Sequence, residues 1–123
     1  MTQPVALLVS IISESFVAWI LVAALGWGDR WRAALAAAVG TVGTHWLAWG
    51  SILWLMEMLD YSIAVAGVEA VVVLIESFAY RWVAALPGRR ALTVSFVANG
   101  ASTGVGLAFY LLALTSCGAA CIG

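Results

Sequence analysis

Four strongly polar side chains stand inside long apolar stretches of this chain, one in each stretch. They are Glu14, His45, Glu76 and Asn99. An ionisable group at the centre of a membrane is costly, about 2.5–3.5 kcal/mol for Asp, Lys or Arg on insertion scales, and such groups normally face the protein interior. At that depth, carboxyl, imidazole and amide groups can carry a proton, bind a cation or hydrogen-bond a neighbouring helix.

A fifth polar residue, the ionisable Glu69, lies seven positions before Glu76 and therefore on the same face of a helix. Three interpretations are open: a structural hydrogen-bond network with His45, Asn99 or a hydroxyl, a proton or cation path, and a metal site that uses His45. Metal is the weakest, because no Glu-x-x-His spacing is present. We therefore predict no metal and no other cofactor.

Small and polar residues recur along the same stretches, as in Ala36, Gly40, Thr44 and Ala48. A stripe of small residues lets helices approach closely in a membrane. The last stretch has a similar series that includes Asn99 and Ser102. Together these patterns predict an intramembrane polar cluster made of six residues: Glu14, His45, Glu69, Glu76, Asn99 and Ser102.

The composition identifies the kind of element that must position these side chains. Of 123 residues, 65% are hydrophobic and 9% are charged, whereas soluble domains carry about 25% charged and about 45–50% apolar residues. The chain has no lysine and a net charge of -1, which excludes nucleic acid as a partner because a phosphate backbone requires a basic face. An integral membrane protein is predicted.

Four stretches reach the length of about 20 residues that a helix needs to cross a bilayer. We predict an all-α fold with spans at about 5–27, 33–55, 62–86 and 91–115 in a single transmembrane domain over 1–123. Pro87-Gly88 marks a turn between the last two spans. Helices are required because backbone groups in lipid must be paired within their own segment.

The two halves of the chain resemble each other, which predicts a tandem repeat of two helical hairpins over 1–60 and 61–123. Glu14-Ser15-Phe16 recurs as Glu76-Ser77-Phe78, and Arg32-Ala33 recurs as Arg90-Ala91. Chance is the alternative, since helices rich in Ala and Val match one another easily.

All five arginines lie in or beside the first and third loops. By the positive-inside rule, loops 28–32 and 87–90 face the cytoplasm and both termini lie outside. The N-terminus carries no basic residue, so the first span is not expected to be a cleaved signal peptide. The predicted location is the inner membrane of a prokaryote.

Two cysteines, Cys117 and Cys121, fall on the predicted outer side. An oxidising compartment allows a disulfide between them. Two free thiols are the open alternative.

The stretch 69–106 resembles a group of small four-helix prokaryotic integral membrane proteins to which no activity is assigned. The resemblance rests on a glutamate-containing span, a basic turn and the spacing in Asn99-Gly100-Ala101-Ser102. Thr44-His45 is similar too, although the group usually has Pro where this chain has Trp46. The resemblance implies four helices and no particular chemistry.

Two functional hypotheses follow. The first is a small transport-related or channel-like protein that handles protons or cations through its midplane residues. The second is a non-catalytic accessory subunit of a larger membrane complex. An enzyme is disfavoured because no nucleophile–base pair can be assembled. The predicted partners are membrane lipid and other transmembrane helices, in a homo-oligomer or a larger complex.

Overall fold

The backbone of residues 2–120 is described by a computed structural model, with side chains for 2–109, 111 and 112. This part of the chain is all-helical and contains no β-strand, as predicted from the sequence. Its four helices are α1 (Gln3–Leu25), α2 (Arg30–Leu55), α3 (Tyr61–Trp82) and α4 (Gly88–Ala120).

The helix ends follow local chemistry. Gly26 has φ 60°, a left-handed conformation that favours glycine, and ends α1 earlier than the predicted span. The Asp29 side chain accepts hydrogen bonds from the backbone amides of Trp31 and Arg32 and so caps the start of α2. α3 also ends before its predicted span, at Trp82, and a short irregular turn precedes α4.

The helices form a four-helix bundle in which each helix packs against two others. α1 packs against α2 and α4, and α3 packs against the same two helices. Short connections make neighbouring helices antiparallel. The pairings agree with this, because Glu69 on α3 contacts Thr103 on α4, whereas the later Glu76 contacts the earlier Asn99.

Three segments are long and apolar enough to cross a membrane: α1, α3 and Gly88–Phe109 of α4. The second helix has 26 residues, but it is less apolar because it includes Thr41, Thr44 and His45. Large hydrophobic side chains cover the outside of the bundle, among them Phe16 and Phe96, which are 61% and 68% exposed. An apolar exterior of this kind suits a membrane and not water.

The antiparallel order gathers all five arginines at one end of the bundle. We call the half of the bundle that ends there the arginine half. The opposite half, which contains Glu57 and Asp60 in the α2–α3 connection, is called the acidic half. The main hydrophobic core lies in the arginine half and consists of buried residues from all four helices and the α3–α4 turn: Ala18, Val22, Ala33, Ala36, Ala37, Tyr80, Ala84, Leu86, Ala91 and Val94.

Candidate functional site: a polar ring at the centre of the bundle

Side-chain hydrogen bonds connect all four helix–helix interfaces near the middle of the bundle. The donor–acceptor distances are 2.5 Å between α1 and α2, 2.7 Å between α2 and α3, 2.6 Å between α3 and α4, and 3.1 Å between α4 and α1. We call this set the polar ring, and its members are Ser10, Glu14, Thr41, Thr44, Glu76, Asn99 and Ser102. The ring connects the helices in a closed circuit.

Glu14 lies in the middle of α1 and is 3% exposed. Its Oε2 lies 2.5 Å from Thr41 Oγ1. The Ser102 hydroxyl of α4 is also close enough to interact with this carboxyl group. The carboxyl of Glu14 is therefore surrounded by hydroxyl groups from α2 and α4.

Glu76 occupies the corresponding place on α3 and is 1% exposed. Its Oε1 lies 2.7 Å from Thr44 Oγ1, and its Oε2 accepts a hydrogen bond of 2.6 Å from Asn99 Nδ2. Its side chain packs directly on the backbone of Gly40, where an added Cβ would lie 3.1 Å from Glu76 Cγ. The absence of a side chain at position 40 therefore makes room for this glutamate.

The two carboxyl groups are close enough to interact electrostatically with each other. Tyr80, one turn beyond Glu76, is fully buried and also interacts electrostatically with both of them. Its hydroxyl has no hydrogen-bond partner within the part of the protein described. A buried hydroxyl without a partner is uncommon and leaves capacity for a further bond at the centre of the bundle.

The other two predicted residues, Glu69 and His45, are not hydrogen-bonded to the ring in the described structure, although Glu69 is close enough to interact electrostatically with Glu14 and Glu76. Glu69 is half-buried, and its carboxyl accepts a hydrogen bond of 3.1 Å from the exposed Thr103. His45 stacks on Trp49 with ring centroids 6.0 Å apart, and its buried Nε2 has no partner in the described structure. Of the six predicted residues, the ring thus joins Glu14, Glu76, Asn99 and Ser102.

Sequence reasoning did not include Ser10, Thr41, Thr44 or Tyr80 among the candidates. A signal for the two threonines exists in the sequence, because the predicted repeat would align Thr41 and Thr44 with Asn99 and Ser102. No comparable signal identifies Tyr80, whose burial depends on packing between helices.

No group of three His, Cys, Asp or Glu side chains among the described residues could hold a metal ion. The predicted alternatives for Cys117 and Cys121 fall outside the side chains that the structure describes.

Comparisons of the chain with protein-family models, with curated proteins and with solved structures find no match. The functional argument therefore depends on the chemistry of the polar ring and on the shape of the bundle around it.

Proposed function

We propose that this protein crosses the membrane four times and carries protons or small cations, with the Glu14–Glu76 pair as the binding point at mid-depth. The observation that carries the proposal is a pair of buried carboxyl groups at the centre of an apolar bundle. Within the described part of the chain, they are hydrogen-bonded by hydroxyl groups and an amide and interact electrostatically with other carboxyl groups, and no arginine or histidine contacts them.

The crossing of α2 is part of the proposal and follows from its neighbours. α2 contacts both α1 and α3, which each have the length and apolarity of a membrane span. With 26 residues it measures about 39 Å at 1.5 Å per residue. A helix of that length, packed between two spanning helices and joined to each by a short connection, has to cross with them. Two of the polar residues that lower the hydropathy of α2, Thr41 and Thr44, contact the buried glutamates at the bundle centre and not lipid.

The arginines orient the bundle in the membrane. Arg30 lies over the Trp19 ring at 4.7 Å, and Arg90 lies over the Trp27 ring at 5.4 Å. Arginine and tryptophan together favour a membrane–water interface, and basic residues favour the cytoplasmic one. The arginine half therefore faces the cytoplasm, and the acidic half with both termini faces outward.

Charge repulsion is the first physical support. Two carboxylates within electrostatic range of each other in a low-dielectric interior repel each other. A proton or a cation bound at the pair relieves this repulsion, which favours a role in proton or cation binding at this point. An isolated structural glutamate paired with an arginine would experience no such repulsion.

The hydrogen-bond geometry of the two threonines gives independent support. Thr41 Oγ1 lies 2.8 Å from Ala37 O, and Thr44 Oγ1 lies 3.1 Å from Gly40 O, besides the glutamate contacts. A hydroxyl has one proton to donate. If each threonine donates it to its own helix carbonyl, the glutamate must donate to the threonine, which requires a proton on the carboxyl group. Both sites therefore fit a proton-carrying glutamic acid.

The bundle gives this pair access from one side. In the arginine half, a continuous buried core that includes Tyr80 separates the ring from the end of the bundle. In the acidic half, the described side chains of α1, α2 and α4 beyond the ring include no buried residue. A proton or cation would therefore reach the carboxyl pair from the outer side. The half-exposed Glu69 lies on that side, on the same face of α3 as Glu76.

The repeat is also part of this proposal. In the first hairpin Glu14 pairs with Thr41, and in the second Glu76 pairs with Asn99, the residue that the sequence alignment equates with Thr41. Across the hairpins, Thr44 contacts Glu76, and its counterpart Ser102 lies near Glu14. Two related hairpins would place two equivalent carboxyls at one depth in this way.

The test is flux in proteoliposomes under an imposed potential, with a pH-sensitive dye inside for protons and ion-selective dyes for Na⁺ and K⁺. The parent is expected to dissipate a gradient of at least one of these cations. Glu14→Gln and Glu76→Gln keep the side-chain shape but remove the titratable group, and each is expected to reduce flux to the level of protein-free vesicles.

Glu57→Gln is the matched control, because it makes the same chemical change in an exposed connection, and it should leave flux unchanged. A parent that dissipates no gradient faster than empty vesicles contradicts the proposal, as does unchanged flux in the Glu14→Gln, Glu76→Gln double variant.

The closed circuit of hydrogen bonds favours a second candidate function, in which the ring only holds the helices together and the protein is an accessory subunit. In that case the glutamine variants would lower stability but would not alter any flux, and native purification in a mild detergent would recover a larger complex. Purification of the protein alone, in an active form, would exclude this alternative.

A further inference from the structure

An open groove runs along the outside of the bundle between α1 and α2, away from the polar ring. It has a volume of about 450 Å³ and is lined by apolar side chains that include Ile11, Ile12 and Phe16. Its floor contains Ser15, whose hydroxyl donates a hydrogen bond of 3.2 Å to Ala34 O and so leaves little polar surface exposed. The groove is therefore suited to a hydrocarbon chain.

The length and direction of the groove match half a bilayer. It extends along α1 from Ile11 to Trp19, which is about 12 Å at 1.5 Å per residue, compared with about 15 Å for half of the hydrocarbon core. It begins near mid-depth and ends at the arginine end of the bundle, where Trp31 lines it. A lipid tail in the leaflet on that side would lie in the same direction.

The arginine end of the groove carries a positive charge and an unused donor. The Arg30 guanidinium lies 4.7 Å from the centre of the Trp19 ring. The indole Nε1 of Trp19 is buried and has no hydrogen-bond partner within the described structure. Arg32, by contrast, is engaged at the α2–α3 interface, where its Nε donates to Val83 O at 2.8 Å. Arg30 is thus the arginine available to a ligand in the groove.

We propose that this groove is a binding site for one anionic phospholipid, with an acyl chain along Ile11, Ile12 and Phe16 and the phosphate on Arg30. The indole N–H of Trp19 lies at the same end of the groove and is a second donor, for an ester carbonyl oxygen of the lipid. Charge complementarity at one end and apolarity along the rest match a phospholipid better than a partner helix. The proposal does not depend on cation transport.

The experiment is native mass spectrometry of the protein in mild detergent, titrated with phosphatidylglycerol or with phosphatidylcholine of the same acyl chains. The parent is expected to retain one phosphatidylglycerol in preference to phosphatidylcholine. Arg30→Gln should weaken that retention about fivefold. This factor corresponds to the roughly 1 kcal/mol that one basic residue contributes to binding at an anionic surface. Ala34→Leu, which fills the groove, should weaken retention of both lipids.

Arg89→Gln is the matched control, since Arg89 is exposed at the same end of the bundle but lies on α4, and it should bind phosphatidylglycerol as the parent does. Equal losses in Arg30→Gln and Arg89→Gln would overturn the proposal in favour of general attraction to the basic end. Displacement of the lipid by an equal concentration of inorganic phosphate would also overturn it. A dimer that dissociates only in Ala34→Leu would assign the groove to a second copy of the chain.

Discussion

The two halves of this bundle are built from the same four helices but are packed very differently. In the arginine half, all four helices contribute to a continuous buried core. In the acidic half, the described buried side chains beyond the ring belong to α3, with Ala64, Val68 and Val72 as examples. The polar ring lies at the boundary between the two halves.

The reason for the difference lies in α2. Its first half presents Ala33, Ala36, Ala37 and Gly40 to the neighbouring helices, and all four are buried. Small residues allow close helix approach, which gives van der Waals contact without a large side chain. Its second half has exposed large side chains such as Trp46, Leu53 and Trp54, and an open cavity of about 170 Å³ lies between it and α3. The bundle is therefore tightly packed in the arginine half and open in the acidic half.

The largest expected effect of a single substitution is at Tyr80 in the arginine half. Tyr80→Ala should lower the free energy of unfolding by on the order of 2–4 kcal/mol, because the cavity left by a buried ring loses its dispersion contacts even in a lipid environment. Tyr61→Ala, the same change at a position 64% exposed, should stay within about 0.5 kcal/mol of the parent.

Unfolding in mixed micelles with increasing SDS fraction, followed by circular dichroism, measures this pair. Equal losses in the two variants would mean that the two halves do not differ in packing.

A glycine pair on α2 tests the packing at the ring itself. Gly40→Ala should destabilise the protein by about 1 kcal/mol, because its Cβ would press on the stem of the buried Glu76 side chain. Gly43→Ala has no atom within 4 Å of the added Cβ, and it should stabilise the helix by up to about 1 kcal/mol. The midpoints of SDS-induced unfolding should therefore shift in opposite directions. A gain in both variants would show that Glu76 does not pack on Gly40.

A threonine pair compares a ring hydroxyl with one in the acidic half. Thr41→Val removes the contact with Glu14 and is expected to cost about 0.6–1.7 kcal/mol, the range for interhelical hydrogen bonds in membranes. Thr103→Val removes the exposed contact with Glu69 and should cost less. The measured quantity is the difference between the unfolding free energies of the two variants. A larger loss for Thr103→Val would contradict the view that the ring contacts hold the helices together more strongly than those of the acidic half.

The smallest stability change is expected for Tyr80→Phe. The tyrosine hydroxyl is buried without a partner, so its removal should leave the unfolding free energy within about 0.5 kcal/mol of the parent or slightly above it. A loss larger than about 1 kcal/mol, the usual value of a hydrogen bond, would indicate that the hydroxyl bonds a group such as a bound water.

The sequence predicted the helices well, because long apolar stretches and Pro-Gly or arginine-containing connections are local signals. The position of each residue within its predicted span also placed Glu14, Glu76 and Asn99 at a similar depth. The sequence could not separate Thr44 from His45, since adjacent residues on a helix point about 100° apart and the apolar surroundings do not indicate which one faces the centre. His45 instead stacks against Trp49, and Thr44 contacts Glu76.

The position of Glu69 shows a second limit of sequence reasoning. It shares a helical face with Glu76, yet it is half-exposed because the bundle opens at its level. The burial of Glu69 depends on how far the neighbouring helices α2 and α4 lie from α3. The periodicity of the α3 sequence carries no information about that distance. The same limit applies to Tyr80, whose burial depends on alanines from other helices.

Cysteine accessibility tests the difference between the halves most directly. With Cys117 and Cys121 replaced by serine, a single cysteine is placed at Ser10, on the acidic side of the ring, or at Ala37, in the buried core. In proteoliposomes, with a charged, membrane-impermeant thiosulfonate on the side of the acidic half, we predict rapid modification of Ser10→Cys. Ala37→Cys should stay unmodified with the reagent on either side. Modification of both cysteines at similar rates, or of Ala37→Cys alone, would contradict a carboxyl pair that is reached only through the open half.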